Sequence, residues 1–282
     1  KVIRKKTSQQ TKPTSLEYNQ NEKSSKQFLL IAPIALVSFF LPIYQLISWS
    51  YRGFKIGDSS YSYLENIIEP IISTLVLGII VGLLCVGFAL IISYIKNYFN
   101  TKKTSAIQSL ASIGYAIPGT ILAVCFFVSW SFIDNSFADF RDKYFGGEAE
   151  LIIGASGLIT LMPLCFRFLA SPINSLESSI KQGCLQQIQS ARLLGSSIFR
   201  TFIKIVIPQN TIAISAAFLI VFIEVIKELP IVLMTRPIDQ NFLSVLIYQY
   251  TSEGDWLQAG LPSLLLVIMG LVGIVLIRKG QK

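Results

Sequence analysis

Windows of about 20 apolar, almost uncharged residues recur six times along this chain, at roughly 28–49, 71–95, 107–133, 151–170, 212–235 and 261–277. That recurrence constrains the fold most strongly, because about 20 such residues are what a helix needs to cross about 30 Å of hydrocarbon. None of the windows alternates apolar with polar residues, as barrel strands of about half that length would. With 52% hydrophobic and 14% charged residues, the composition also lies outside that of an ordinary soluble domain. The expectation is an all-α membrane protein with six transmembrane helices.

The third and fifth windows are interrupted, by Pro118 and by Glu224, Lys227, Glu228 and Pro230. Both still read as spans, since neighbouring helices can satisfy backbone groups freed by proline. Lys and Arg set the orientation. Seven lie in the first 26 residues, three in the second-to-third connection, five in the fourth-to-fifth (Arg167, Lys181, Arg192, Arg200, Lys204) and three in the tail. Five lie on the other side (Arg52, Lys55, Arg141, Lys143, Arg236), leaving Lys227 inside the membrane. Both termini and the long connection at about 171–211 are therefore expected in the cytoplasm. Residues 1–26, rich in Lys, Ser, Thr, Gln and Asn, read as a disordered cytoplasmic linker, and 27–282 as the membrane domain. The chain starts without methionine, which with the linker-like start suggests a fragment or the second half of a longer chain; an incomplete gene model would look the same.

Several chemistries are excluded. There is no histidine, so neither a Ser-His-Asp triad nor a His-based acid/base pair can form, and Cys85, Cys125, Cys165 and Cys184 are singletons without metal-ligand spacing. They read as small buried apolar side chains. No G-x-x-x-x-G-K-[ST] phosphate cradle exists, so energy must come from a partner or an ion gradient. The net charge of +8 is spread along the inner membrane face with no aromatic-interleaved basic motif, which points to lipid headgroups and away from nucleic acid.

The stretch QSARLLGSSIFRTFIKIVIP (189–208) stands out in the cytoplasmic connection. Ile180, Leu185, Ile188 and Leu194 fall near helical spacing, Gly195 interrupts, and Ser196 can cap a second helix ending before Pro208. Two short amphipathic helices joined at Gly195 are expected. The residues alone allow an interfacial helix lying on lipid or a docking element for a soluble partner.

This stretch resembles the cytoplasmic loop motif of binding-protein-dependent ABC transporter permeases: E-A-A, three residues, G, nine residues, I, one residue, L-P. Gln189, Ser190 and Ala191 stand at the E-A-A positions, Gly195 at the glycine, Ile205 at the isoleucine, and Ile207 with Pro208 at L-P. Gln189, Ser190 and Ile207 depart from the pattern, and Gln189 lacks the usual charge. SLASIGYAIPGTILAV (109–124) and the stretch 225–267 resemble the second half of ferric-iron ABC permeases, often fused as two six-helix halves. The resemblance, over about 28–277, implies a type I importer permease of a bacterial inner membrane. Its loop would seat in a cytoplasmic ABC ATPase dimer that carries ATP and Mg, the permease itself binding no cofactor. A second permease half or copy and a periplasmic iron-binding protein would complete the machine, whose states alternate on ATPase closure.

Inside the membrane, Glu224, Lys227 and Glu228 share one face of an unbroken helix at i, i+3 and i+4. Each charge costs roughly 2.5 to 3.5 kcal/mol on insertion scales. The group reads either as a self-neutralising packing cluster or as part of the translocation path or gate. It does not read as a metal site, because Lys227 opposes a cation. Tyr115, Pro118 and Gly119 mark a helix break that serves as a packing kink or a gating hinge. Gly78 and Gly82 form a G-x-x-x-G that allows close helix approach. Other readings are the same machine carrying thiamine or phosphonate, half of a gradient-driven transporter, which would not need the Gly195–Pro208 spacing, and a membrane scaffold, which would not need charges on one face.

Overall fold

The computed structural model describes residues 33–34, 36–56, 60–145 and 157–280, without the side chains of 56, 60–65, 139–145 and 277–280. The expected linker at 1–26 and the start of the fourth window lie outside them. No strand occurs among the described residues. The described residues up to Gln45 belong to one unit, a π-helical turn at Leu36–Phe40 leading into a helix, and the described residues from Leu46 onward belong to the other.

The helices are α1 (Leu41–Ile56), α2 (Ser60–Phe99), α3 (Lys102–Ser112) and α4 (Gly119–Phe145), then α5 (Leu158–Phe168), α6 (Ala170–Gly183), α7 (Leu185–Leu193) and α8 (Ile198–Thr201). They continue as α9 (Thr211–Ile226), α10 (Pro230–Thr235), α11 (Leu243–Ser252) and α12 (Trp256–Gly280). Among the described residues, three stretches are long and apolar enough to cross a membrane, Asn66–Phe99, Gly119–Ala138 and Trp256–Leu276. Counting the bent pairs α5–α6 and Ile198–Gln209 with α9 as one span each gives five. The helix of the first window does not qualify within its described residues, so six crossings are not reproduced by length and composition.

The third window breaks where Tyr115, Pro118 and Gly119 mark it in the sequence, while the fourth and fifth depart from their expected course. The third breaks into α3, a 3-10 turn at Ile113–Ala116, and α4. Ile117 is extended (φ −86°, ψ 131°), as steric pressure from the following proline requires. The fourth does not stop at its expected end: after a 46° bend it continues as α6, which buries Pro172, Ile173, Leu176 and Ile180 as one helical stripe. The fifth ends at Ile226, because Pro230 has no N–H to return to the Ile226 carbonyl, and α10 begins anew.

Bare glycine surfaces bring helices together. Gly78 and Gly82 of α2 receive the rings of Phe222 and Phe218 of α9, where an added Cβ would stand 2.8 Å from either ring. The expected close approach of a G-x-x-x-G face is thus used by two aromatic rings 6.2 Å apart. Below them α2 and α6 enclose a core of Val86, Ala89, Leu90, Ile173, Leu176 and Ile180 that extends to Ile188 and Val206.

Candidate coupling elbow and intramembrane charge cluster

The elbow begins where α7 ends. Gly195 takes φ +76°, a left-handed conformation that costs a residue without Cβ little. Its N–H donates to the Arg192 carbonyl (3.1 Å), and the Ser196 N–H donates to the Ala191 carbonyl (2.9 Å), the reciprocal pair that closes a helix C-terminus around glycine. Ser197, not Ser196, then caps α8, its hydroxyl accepting from the Arg200 N–H at 3.3 Å. The second helix also runs past Pro208 to Gln209 instead of ending before it. A π-helical turn at Phe202–Val206 widens the helix just ahead of the proline ring, whose clash with the preceding turn would otherwise end it.

Side chains weld this elbow to the membrane helices. Ile188 is buried, Ile205 is half-buried in the same core, and Tyr94 of α2 donates its hydroxyl to the Ile198 carbonyl (2.9 Å) while its ring packs on Phe202. Arg192 donates to the Tyr98 carbonyl (2.9 Å) with its guanidinium over the Tyr98 ring. At the far end, Asn210 accepts from Ser179 (2.6 Å) and donates to the Val206 carbonyl (2.8 Å), just where Ile198–Gln209 meets α9 at 77°. Glu177 of α6 pairs with Lys96 of α2 (2.8 Å) and also with Lys181 and with Gln108 of α3.

Of the residues singled out in the sequence, Gln189, Ser190, Gly195 and Pro208 are exposed, while Ala191 and Ile205 are half-buried. Gln189 lines a hollow of about 430 Å³ with Tyr98, Lys181 and Arg192. Sequence reading missed the most conspicuous part of this surface. Leu193, Leu194 and Phe199 are 89%, 87% and 73% exposed at the elbow tip. Leu194 falls near helical spacing with Ile180, Leu185 and Ile188 in the sequence, but the helix ends at Leu193 and Leu194 leaves their face. The available signal was a pair of adjacent leucines, of which one stripe can bury only one.

The membrane-embedded residues divide differently from expectation. Glu224, Lys227 and Glu228 do not share one helix face, since α9 ends at Ile226; Lys227 is exposed, Glu224 half-buried and Glu228 buried. The charge opposite Glu228 is Arg167 of α5, counted in the sequence among loop cations, with Nη1 3.8 Å from Glu228 Oε1. Gly119 of α4 lies against both: a Cβ there would collide with the guanidinium and stand 2.7 Å from the carboxylate. Tyr115 and Pro118 are exposed on the neighbouring break. A further cavity of about 660 Å³ is lined by Trp130, Asp134 and Arg236 and includes none of these charges. Among the described residues no group of three or more Cys, Asp or Glu side chains could hold a metal ion.

No family model matches the chain. It is similar to a Haemophilus influenzae Fe(3+)-transport system permease protein, FbpB 2, with 22% identity over 95% of this chain and 50% of that protein. The chain thus spans half the length of that relative. It is also similar to a probable sulfate transport system permease protein, cysT, of Prototheca wickerhamii, with 22% identity over 86% of this chain and 95% of that protein. Among solved structures, a chain of a bacterial alginate ABC transporter, in complex with an alginate-bound periplasmic protein, superposes with a TM-score of 0.58 at 15% identity, covering 93% of this chain and 96% of that one. A second structure of an alginate-importing ABC transporter gives 0.54 at 13% identity, covering 92% and 96%. The chain therefore has the fold of an ABC-importer permease.

Proposed function

We propose that this chain is the membrane-spanning permease subunit, or the second half of a fused one, of an ATP-driven ABC importer whose cargo is ferric iron. The observation that carries the reading is the elbow at Gly195. It leaves three large apolar side chains, Leu193, Leu194 and Phe199, exposed on a support fastened to α2, α6 and α9. An exposed apolar tip held this rigidly suits insertion into a groove of a soluble partner. The partner in this reading is a dimer of ABC ATPases that binds ATP and Mg, with Gln189, Ser190, Ala191 and Gly195 at the contact and Ile205 and Pro208 supporting it. The permease has no ATPase site and holds no cofactor of its own.

The remaining assignments follow from the same reading. The chain sits in a bacterial inner membrane with both termini cytoplasmic, beside a second permease half or copy, and receives cargo from a periplasmic iron-binding protein. Tyr115, Pro118, Gly119, Glu224, Lys227 and Glu228 border the path or its gate. Iron rests on the ferric-permease relative and on the stretches 109–124 and 225–267, which resemble that group.

The test uses the assembled transporter in inverted and right-side-out membrane vesicles. Replacing Leu193 and Leu194 together by Asp should leave insertion intact, because both side chains are exposed. ATPase co-purification and ATP-driven uptake should each fall at least tenfold. Unchanged uptake would remove the coupling assignment. Saturable uptake of ferric ion but not of sulfate supports the cargo, and the reverse pattern replaces iron with an oxyanion.

A further inference from the structure

Three chain segments that change direction meet at one ion pair. Arg167 precedes the 46° bend between α5 and α6, Glu228 lies in the unwound link between α9 and α10, and Gly119 opens α4 after the extended Ile117. Each is a point where a helix can pivot, and the Arg167 guanidinium lies beside the other two. The contact is close in space but loosely bonded. Arg167 Nη1 and Glu228 Oε1 stand 3.8 Å apart, and neither these atoms nor Arg167 Nε and Glu224 Oε2 has a hydrogen-bonding partner within the protein, although all are buried. Glu228 is only 8% exposed.

Removing two charges from water is repaid only when geometry is close and the remaining donors and acceptors are satisfied. This pair meets neither condition, so it contributes little as a permanent rivet. It suits a contact made in one state and exchanged in another, because a small shift then moves the guanidinium between partners of similar energy. A second partner is at hand. Glu224 sits in the last turn of α9, four residues before Glu228, and its Oε2 is a buried carboxylate oxygen left without a partner. Arg167 and Lys227 are the positive charges that act on both carboxylates, and Lys227 is exposed.

We propose that Arg167 is a positioning residue of the transport cycle, paired with Glu228 in the state described and handed to Glu224 when the α5–α6 and α9–α10 segments shift against each other. This rests on the importer reading above and specifies which intramembrane contact distinguishes its two states. In the state described, the pair ties the α9–α10 break to α5 beside the start of α4 and biases the transporter towards rest. Gly119 is bare because any side chain would occupy the place where the two charges meet.

The experiment compares the assembled transporter carrying Arg167→Met, Glu228→Gln, both together, Arg167→Lys, or Glu224→Gln, with melting temperature in detergent, basal ATP hydrolysis and uptake of radioactive ferric ion as readouts. Each neutralising variant of the pair leaves one buried charge alone and should melt at a lower temperature. The double variant leaves none and should recover wild-type melting. Its ferric uptake should nevertheless stay below a tenth of wild type, with basal hydrolysis raised at least threefold because the resting bias is gone. Arg167→Lys should keep at least a third of the uptake. Glu224→Gln should melt like wild type yet lose fivefold or more in uptake. A double variant that recovers uptake and basal hydrolysis together with melting would show a purely structural pair, and wild-type uptake in Glu224→Gln would remove the handover. If the unaltered transporter takes up no ferric ion, the iron reading fails by itself, while unchanged basal hydrolysis in the double variant still overturns the pairing.

Discussion

The backbone N–H of Ser196 donates to the carbonyl oxygen of Ala191 at 2.9 Å, so the chain reverses around Gly195 within a single closed turn. The turn exists only because Gly195 holds φ +76°, and beyond its two chain neighbours no residue comes within 4 Å of where its Cβ would be. Substitution there is a backbone problem and not a packing one. Gly195→Val should lose roughly 1–2 kcal/mol of local stability and reduce ATP-driven uptake at least tenfold. Gly195→Asn, larger but tolerant of that φ, should retain most of it. Equal loss in both variants, measured as vesicle uptake at matched membrane levels, would point to bulk and refute the conformational argument.

Glu177 gathers Lys96 and Gln108 from two other helices, with its side chain 13% exposed. Glu177→Leu leaves Lys96 without its carboxylate and should cost about 1–3 kcal/mol. Lys181→Met should cost far less, because Lys181 is half exposed and such pairs contribute little. Melting temperatures of the two variants in one detergent provide the comparison.

Gly82 has its counterpart in the Phe218 ring, 2.8 Å from a Cβ built there. Gly82→Leu should overpack this contact and lose about 1–3 kcal/mol. Adding Phe218→Ala to it should restore part of the loss. Gly87, which has open space around it, should accept leucine without penalty.

Asn210 is buried at the 77° bend and bonds Ser179, the Val206 carbonyl and the Cys184 sulfur (3.4 Å). Asn210→Leu strands these polar groups and should cost about 1–3 kcal/mol. Because those bonds also set the angle, uptake should fall more than membrane abundance does. A proportional fall in both would mean that Asn210 only stabilises.

The elbow was legible in the sequence because its determinants are local: a glycine, a proline and the spacing between them. The apolar windows located α2, α4 and α12 for the same reason. The charge cluster was not legible. Counting Arg167 as a loop cation assumed that the cytoplasmic connection began at about that residue, but α6 stays packed on α2, and tertiary burial of Ile173, Leu176 and Ile180 leaves no mark that separates a span from an amphipathic loop helix. Likewise, Glu224, Lys227 and Glu228 share a face only if the helix continues, and Pro230 ends it. Pro208 should have ended its helix by the same logic, and the π-helical turn before it is a backbone adjustment that side-chain identities do not announce.

The 77° bend at Asn210 has a mechanical consequence. Ile198–Gln209 extends from it as an arm of twelve residues, roughly 18 Å at 1.5 Å per residue. A force applied at Phe199, at the elbow end of that arm and at a large angle to α9, would reach α9 as torque more than as a push along its axis. Rotation of α9 carries Phe218 and Phe222 around with it, and these rings sit in the glycine notches of α2. Because the rings fill those notches, α9 cannot slide along α2 without lifting them out of the glycine surface.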